Sequence, residues 1–186
     1  MSKTLKNGII LLIIINLLFI ISLTLCICAN FKNPYFSIFI TIFMFAFHFD
    51  FRALSGVIFS AFKNKININN KIYNISEKEY QLLTKLIVKS WKDGFFAIDK
   101  KLFIIKTINK NNLEYVLKNN INAELIHIFC FFFGFISILI GCLISIEEWY
   151  IYLITAIFTS FIVDFPPILI QRYNRYRLLK IKNKKF

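Results

Sequence analysis

The chain has 186 residues, of which 58% are hydrophobic and 18% charged, and its formal net charge is +13. Soluble domains contain fewer apolar and more charged residues, and disordered chains contain far fewer apolar ones. Because the apolar residues also occur in long blocks, the composition excludes uniform disorder and argues strongly against a soluble globule. It predicts a small integral membrane protein with one domain over residues 1–186.

Four apolar blocks predict an all-α integral membrane protein with four transmembrane helices. About 20 residues in a helix, at roughly 1.5 Å each, cross the hydrocarbon core of a bilayer. Helices are expected because they satisfy their own backbone polar groups. The predicted spans cover residues 8–29, 34–49, 125–146 and 149–170. A loop of residues 50–124 connects the second and third spans, and a basic tail of residues 171–186 follows the fourth.

The basic residues predict the orientation. The loop contains 13 of them and the tail contains seven, which together make 20 of the 23 in the chain. The turn between the last two spans is instead acidic, with Glu147 and Glu148. Basic segments stay on the cytoplasmic side. We therefore expect a multi-pass protein of the bacterial cell (inner) membrane with its N-terminus, loop and tail in the cytoplasm.

The same charge predicts which partners the protein has. Lysine and arginine near a membrane surface attract anionic lipids. A basic face that lies against a bilayer is poorly placed for a nucleic acid, so membrane lipids are the expected partners and nucleic acids are not. The oligomeric state stays open.

Within the loop, the sequence from Ser76 to Glu79 is typical of a capping box, in which a serine begins a helix and a glutamate follows three residues later. The helix is predicted to continue to about Trp91. Tyr80, Leu83 and Ile87 fall on one stripe, and lysines lie elsewhere around the axis. This pattern indicates an amphipathic cytoplasmic helix that lies in the membrane interface.

The four cysteines form no metal-binding motif, and no metal site is predicted. Buried apolar cysteines are the expected state. A disulfide from Cys26 or Cys28 to Cys142 is left open, since these residues are predicted at the outer ends of their spans.

Ionisable residues gather at the predicted cytoplasmic ends of the spans. Glu124 and His127 are three residues apart and share a helix face, and Asp164 lies two turns inside the fourth span. Such groups are costly near hydrocarbon and usually functional. Two interpretations stay open: a substrate site, or helix-end side chains that only reach toward water. The arginines that follow the fourth span also have an alternative role as a stop-transfer charge.

A second group, His48, Asp50 and Arg52, lies at the predicted inner end of the second span. A histidine ring in the headgroup layer is the simpler interpretation of His48. A metal site that combines these residues with Glu124 and His127 has no supporting ligand spacing.

Three sequence elements resemble the glycosyl-4,4'-diaponeurosporenoate acyltransferase family of staphyloxanthin-type carotenoid synthesis. The first is Ala123–His127, with the sequence AELIH, and the second is Gln171–Leu178, with the sequence QRYNRYRL. Asp164 and Pro166 stand where the family has N-x-P, and Lys89–Lys92 resembles its basic W-K segment. The resemblance extends over about residues 76–180.

The resemblance implies transfer of a fatty acyl group to a sugar hydroxyl of a glycolipid or glycosylated isoprenoid at the cytoplasmic face. His127 would act as general base and Glu124 would orient its ring. The resemblance implies no bound cofactor. It does imply an acyl donor such as acyl-CoA or acyl carrier protein. The residues expected to bind the donor or the lipid-like acceptor are Arg172, Asn174, Arg175, Arg177, Trp91, Lys92 and Asp164.

Two other functions remain as alternatives. The first is a non-enzymatic membrane protein that assists assembly or maturation, and the second is a membrane methyltransferase. The sequence identifies neither the donor nor the acceptor.

Overall fold

The structure is a computed structural model that describes residues 3–86 and 110–185, with side chains over 9–86 and 112–183. The regular elements in these ranges are helices: α1 (Lys3–Cys28), α2 (Tyr35–Phe62), α3 (Glu77–Lys85), α4 (Lys110–Ile144), α5 (Trp149–Ile157) and α6 (Phe165–Lys185). A π-helix, Phe158–Asp164, joins α5 to α6, and three short 3₁₀ turns complete the described elements.

Four helical segments are long and apolar enough to cross a membrane, which confirms the four predicted spans. They are Ile9–Cys28, Tyr35–Lys65, Asn112–Ile144 and Ile146–Asn183. The helix that contains the second predicted span, α2, continues to Phe62, so the first part of the predicted loop is helical; the bounds of the span itself stay a prediction. The sequence beyond Asp50 stays apolar at Leu54 and Val57, and Asp50 itself has a hydrogen-bond partner in α1.

The described residues form two compact units. Unit 1 lies within Met1–Leu54 and Cys130–Val163, and unit 2 lies within Ser55–Phe129 and Asp164–Phe186. The expectation of a single domain over the whole chain stays a prediction.

Unit 1 has an apolar core of Ile40, Met44 and Tyr152, each almost fully buried. Its helices approach closely where side chains are small. A Cβ added at Gly141 would lie 2.5 Å from the ring of Tyr152, so only glycine fits at this position without a shift. A Cβ added at Gly134 would likewise lie too close to the hydroxyl oxygen of Ser160. Small residues at such contacts are the usual means of helix association in membranes.

Unit 2 is built from α3, α4 and α6. Leu83 of α3 packs with Ile170 and Tyr173 of α6. Leu113 and Leu117 of α4 pack with Leu178, further along α6. These clusters lie on either side of a set of polar contacts between the same helices.

The predicted start of α3 is confirmed. The Ser76 hydroxyl accepts a hydrogen bond from the backbone N–H of Glu79 at 3.2 Å. The helix is described to Lys85, and the predicted continuation through Ile87 to Trp91 lies outside the described residues. Tyr80 stacks on Tyr173 and Tyr176 of α6, with ring centroids 5.3 and 4.2 Å apart, so the aromatic side of α3 covers α6.

The π-helix before α6 ends just before two prolines. Pro166 and Pro167 have no backbone N–H, so the carbonyls that they would have bonded in the preceding turn lose their donors. The wider π turn replaces the regular pattern over Phe158–Asp164. Short π segments often occur at functional sites, and this one ends on Asp164.

Candidate functional site

The candidate site lies in unit 2, where one stripe of polar residues on α4 meets another at the start of α6. Asn120, Glu124 and His127 are four and three residues apart, which puts them on one helix face. The Asn120 amide donates to the Gln171 side chain at 2.5 Å. The His127 Nδ1 lies 3.0 Å from Asp164 Oδ1. The chain directions of these two pairs are opposed: Asn120 precedes His127, whereas Gln171 follows Asp164.

Glu124 is the centre of a group of buried charges. Its carboxylate accepts hydrogen bonds from the Arg175 guanidinium and, at 3.1 Å, from Arg172 Nη1. Arg172 Nε also donates to Glu79 of α3 at 2.5 Å. We call Glu79, Glu124, Arg172 and Arg175 the charge cluster. Two carboxylates balance two guanidinium groups, which is what permits Glu124 and Arg175 to be 3% and 1% exposed.

His127 is placed to act as a base. Its side chain is 17% exposed, whereas the Asp164 carboxylate beside it is 2% exposed. In the tautomer with the proton on Nδ1, the Nδ1–H donates a hydrogen bond to Asp164 and Nε2 keeps a free lone pair. This is the arrangement by which a buried carboxylate fixes the tautomer of a general-base histidine. In the part of the chain that the structure describes, no protein group is recorded as bonding to Nε2.

The carboxylate in contact with His127 differs from the expected one. The sequence suggests that Glu124 orients the ring, but Asp164 does so in the structure. Glu124 shares the helix face of His127, yet its oxygens are taken by Arg172 and Arg175, whose charges attract it more strongly than a neutral ring does. Asp164, expected to bind substrate, is instead the carboxylate in contact with His127.

The predicted binding residues separate into three groups. Arg172 and Arg175 are held by carboxylates, and Asn174 is buried. The Arg177 guanidinium lies over the Tyr173 ring, 5.6 Å from its centroid. Among the ion pairs of the described residues, none involves Arg177, so its charge stays available. Trp91 and Lys92 lie outside the described residues.

Sequence reasoning missed Glu79 and Asn120 as members of this site. A signal for Asn120 existed, because it stands four residues before Glu124 on the same face. Glu79 gave no such signal, since the capping motif already explained it. Among the described residues of this site, two buried atoms have no hydrogen-bond partner: Asn120 Oδ1 and Arg175 Nε. Such atoms are costly in an apolar interior and suit a site that receives a polar ligand.

His48 belongs to unit 1 and is 5% exposed, so it is an internal residue rather than a headgroup contact. Its Nε2 lies 3.1 Å from the Ser137 hydroxyl. The four cysteines carry free thiols. Over residues 3–86 and 110–185, no group of three or more His, Cys, Asp or Glu side chains is arranged to hold a metal ion.

A family comparison identifies the chemistry. The model of the glycosyl-4,4'-diaponeurosporenoate acyltransferases matches residues 58–184, which is more than half of the chain. The chain belongs to this family. Membership implies an acyltransferase of the staphyloxanthin-type carotenoid pathway that acts on a glycosylated carotenoid. No curated protein and no solved structure matches the chain. His127, Asp164 and the charge cluster all lie inside the matched range.

Proposed function

We propose that this protein transfers a fatty acyl group from a thioester donor to a sugar hydroxyl of a glycosylated carotenoid or a related glycosylated isoprenoid. The observation that carries the proposal is the His127–Asp164 pair, with 3.0 Å between Nδ1 and Oδ1, inside the range that matches the acyltransferase family.

The residues present supply a complete proton path for this reaction. His127 Nε2 takes the proton of the sugar hydroxyl as its oxygen attacks the acyl carbonyl. A new C–O ester bond forms, the C–S bond of the donor breaks, and the imidazolium returns the proton to the leaving thiolate. Asp164 stabilises the positive ring throughout. General-base assistance of this kind contributes a factor of roughly 10²–10⁴.

The charge cluster acts in this proposal as a support. It ties α3, α4 and α6 together around Glu124 and so holds Asp164 against His127. Donor binding then depends on the cations without a carboxylate partner, chiefly Arg177, because guanidinium groups bind phosphates in bidentate fashion. Acyl-CoA and acyl carrier protein both present such phosphates. Asn174, Trp91 and Lys92 remain candidates for the same role, although the burial of Asn174 favours a structural one.

Substitution of the histidine and its partner tests the mechanism. His127→Ala is expected to lower the acylation rate by about 10²–10⁴. Asp164→Asn is expected to lower it by up to about 10⁴, because the amide favours the wrong tautomer and does not stabilise the positive ring. Glu114→Gln is the control, since this carboxylate lies on the exposed side of α4. The measurement is transfer of a labelled acyl group to glycosylated carotenoid in membranes.

The outcomes separate the alternatives. Full activity of His127→Ala contradicts the general-base role. Absence of donor consumption by the wild-type protein favours an assembly or maturation partner, and transfer of a methyl group from S-adenosylmethionine favours a methyltransferase.

We propose that the reaction takes place at the cytoplasmic face. The positive charge of residues 50–124 and of the tail supports this orientation. In a variant whose native cysteines are replaced, a cysteine at position 147 should react with an impermeant reagent from outside. Cysteines at positions 3, 100 and 184 should react only after the membrane is opened. Labelling of position 100 or 184 in intact cells contradicts the orientation.

A further inference from the structure

A group of lysines lies in unit 2 beyond the charge cluster, toward the end of α6. They come from two elements, the segment between α2 and α3 and the last turns of α6: Lys63, Lys65, Lys71, Lys180 and Lys182. Among the ion pairs of the described residues, none involves any of these five. We call them the basic surface. Because the charge cluster is already balanced by its own carboxylates, the charge of the basic surface is available to a partner.

Contacts within unit 2 hold the two elements of the basic surface together. The Lys63 ammonium lies 4.5 Å from the centroid of the Tyr115 ring of α4, and Lys182 Nζ donates to Asn69 Oδ1 at 2.7 Å. Between these two contacts, Ile68 packs on the apolar cluster that α4 and α6 share. The segment after α2 therefore crosses both helices, and its lysines lie beside those of α6.

The distance of this surface from the predicted spans argues against lipid headgroups as its partner. Tyr115, which Lys63 contacts, is ten residues before the third predicted span, about 15 Å along α4. Lys182 is twelve residues after the fourth, about 18 Å along α6. The attraction of anionic lipids falls off within a Debye length, which is about 8 Å at physiological salt. A soluble partner with an acidic surface fits this position better.

Exposed apolar side chains accompany the lysines. Phe62, Ile72 and Tyr115 are 54%, 73% and 60% exposed, and the Lys65 ammonium lies 5.2 Å from the centroid of the Phe62 ring. Protein interfaces combine aromatic and apolar contacts with a polar rim, and opposite charges speed the encounter of the partners. The phosphates of a small nucleotide would use the charges alone. The combination therefore favours an acidic protein.

We propose that the basic surface docks an acyl carrier protein, an acidic protein that presents an acyl thioester on a phosphopantetheine arm. This identification of the donor rests on the proposed function, with the thiol of the arm as leaving group. The phosphate of the arm binds Arg177, which precedes Lys180 by three residues on α6 and so shares its face.

The length of the arm suits the distance to the reacting group. Arg177 lies 13 residues after Asp164, about 20 Å along the helix. From its phosphate to the acyl carbon the arm has about 14 bonds, as many as four to five extended residues, and so spans about 16 Å. Because the arginine and histidine side chains each cover part of the distance, the arm brings the acyl carbon to His127.

Binding of a carrier protein, measured without acyl transfer, tests the proposal. The full chain in discs of phosphatidylcholine is titrated with fluorescently labelled acyl carrier protein that bears a palmitoyl group, and fluorescence anisotropy reports binding. Lys65→Gln/Lys71→Gln should weaken binding by roughly fivefold, since each exposed charge pair contributes modestly. The control is Lys78→Gln/Lys85→Gln, which removes the same charge from exposed positions on the side of α3 away from Tyr80.

A further variant and a salt series separate docking from a folding defect. Lys180→Gln changes the other element of the basic surface and should weaken binding by about two- to threefold. Its thermal unfolding should match that of the wild type, because the Lys180 side chain is exposed. Added salt should weaken carrier binding by the wild type more than by the Lys65→Gln/Lys71→Gln variant.

The assignment is overturned if both sets of lysine variants bind the carrier protein like the control. It is also overturned if phosphatidylglycerol in the discs abolishes carrier binding, which assigns the lysines to lipid, or if palmitoyl-CoA binds as tightly as the loaded carrier protein, which assigns them to a nucleotide. These results are distinct from a failure of the proposed function. A protein that binds the carrier but transfers no acyl group keeps the surface and loses the reaction. A protein that transfers from palmitoyl-CoA and binds no carrier keeps the reaction and loses the surface.

Discussion

The two units hold their helices together by different chemistry. In unit 1 the helices meet through aromatic rings and small residues, and the carboxylates of Asp50 and Glu148 bond to the neutral side chains of Asn16 and Ser37. In unit 2, side chains far apart in sequence meet as charges: Glu124 binds Arg175, and Glu79 binds Arg172. Neutral contacts cost little to bury, whereas charges must be paired. Unit 2 therefore keeps an expensive arrangement, in the same unit as the His127–Asp164 pair.

This difference between the two units indicates that unit 2 keeps buried charges for a reason other than stability. A buried ion pair is often no more stabilising than well-packed apolar residues of the same volume. The charge cluster is thus poorly explained by stability alone, which is consistent with the proposed role in fixing the positions of α4 and α6 beside His127. Unit 1 has no comparable group among its described ion pairs, and its packing is explained by helix association.

The largest expected effect on stability breaks the charge cluster. Glu124→Leu leaves the buried Arg175 guanidinium without a counter-charge, which should destabilise the protein by about 3–5 kcal/mol. Thermal unfolding of purified protein in detergent measures the change. Glu114→Gln, an exposed carboxylate on the same helix, is the control and should change stability by less than about 0.5 kcal/mol.

A double substitution shows whether the loss comes from the unpaired charge. Glu124→Leu/Arg175→Met removes both partners and should recover most of the stability, while acyl transfer stays impaired because α6 loses its fixed position. If the double variant is as unstable as the single one, the cluster stabilises by packing rather than by charge.

A smaller effect is expected from the close fit in unit 1. Gly141→Ala places a Cβ against the Tyr152 ring, which is fully buried and cannot move freely, and overpacking of this kind costs about 1–3 kcal/mol. Gly56→Ala is the matched control, since nothing lies within 4 Å of the Cβ it would add. In that helix, alanine should be neutral or stabilising by up to about 1 kcal/mol. Equal thermal shifts for the two variants would show that the fit at Gly141 is loose.

The sequence predicted those structural features that depend only on residues close together along the chain. Apolar block length identified the four spans, and the Ser76–Glu79 spacing identified the start of α3. Both signals are local, because a span needs only its own hydrophobicity and a helix cap only its own first turn.

The sequence predicted less about the contacts between residues that lie far apart along the chain. Asp50 is predicted as a charge at the end of a span, but it lies within α2 and accepts a hydrogen bond from Asn16, 34 residues earlier. The partner of His127 depends on Asp164, 37 residues later, and on the arginines that occupy Glu124. Spacing along one helix shows which residues share a face, but it does not show which of them the facing helix binds.

The smallest predicted effect concerns how α3 is held in unit 2. Ser76→Ala removes the acceptor for the Glu79 N–H and should destabilise α3 by about 1 kcal/mol. Hydrogen exchange of the α3 amides measures this locally, and Ser76→Asp should restore protection because aspartate also caps. Ser60→Ala is the control, since Ser60 is an exposed residue near the end of α2.

Because Glu79 of α3 bonds to Arg172, faster exchange should be accompanied by a modest loss of acyl transfer. If exchange rises while transfer is unchanged, the Glu79–Arg172 contact belongs to α3 alone, and the functional part of the charge cluster reduces to Glu124 with its two arginines.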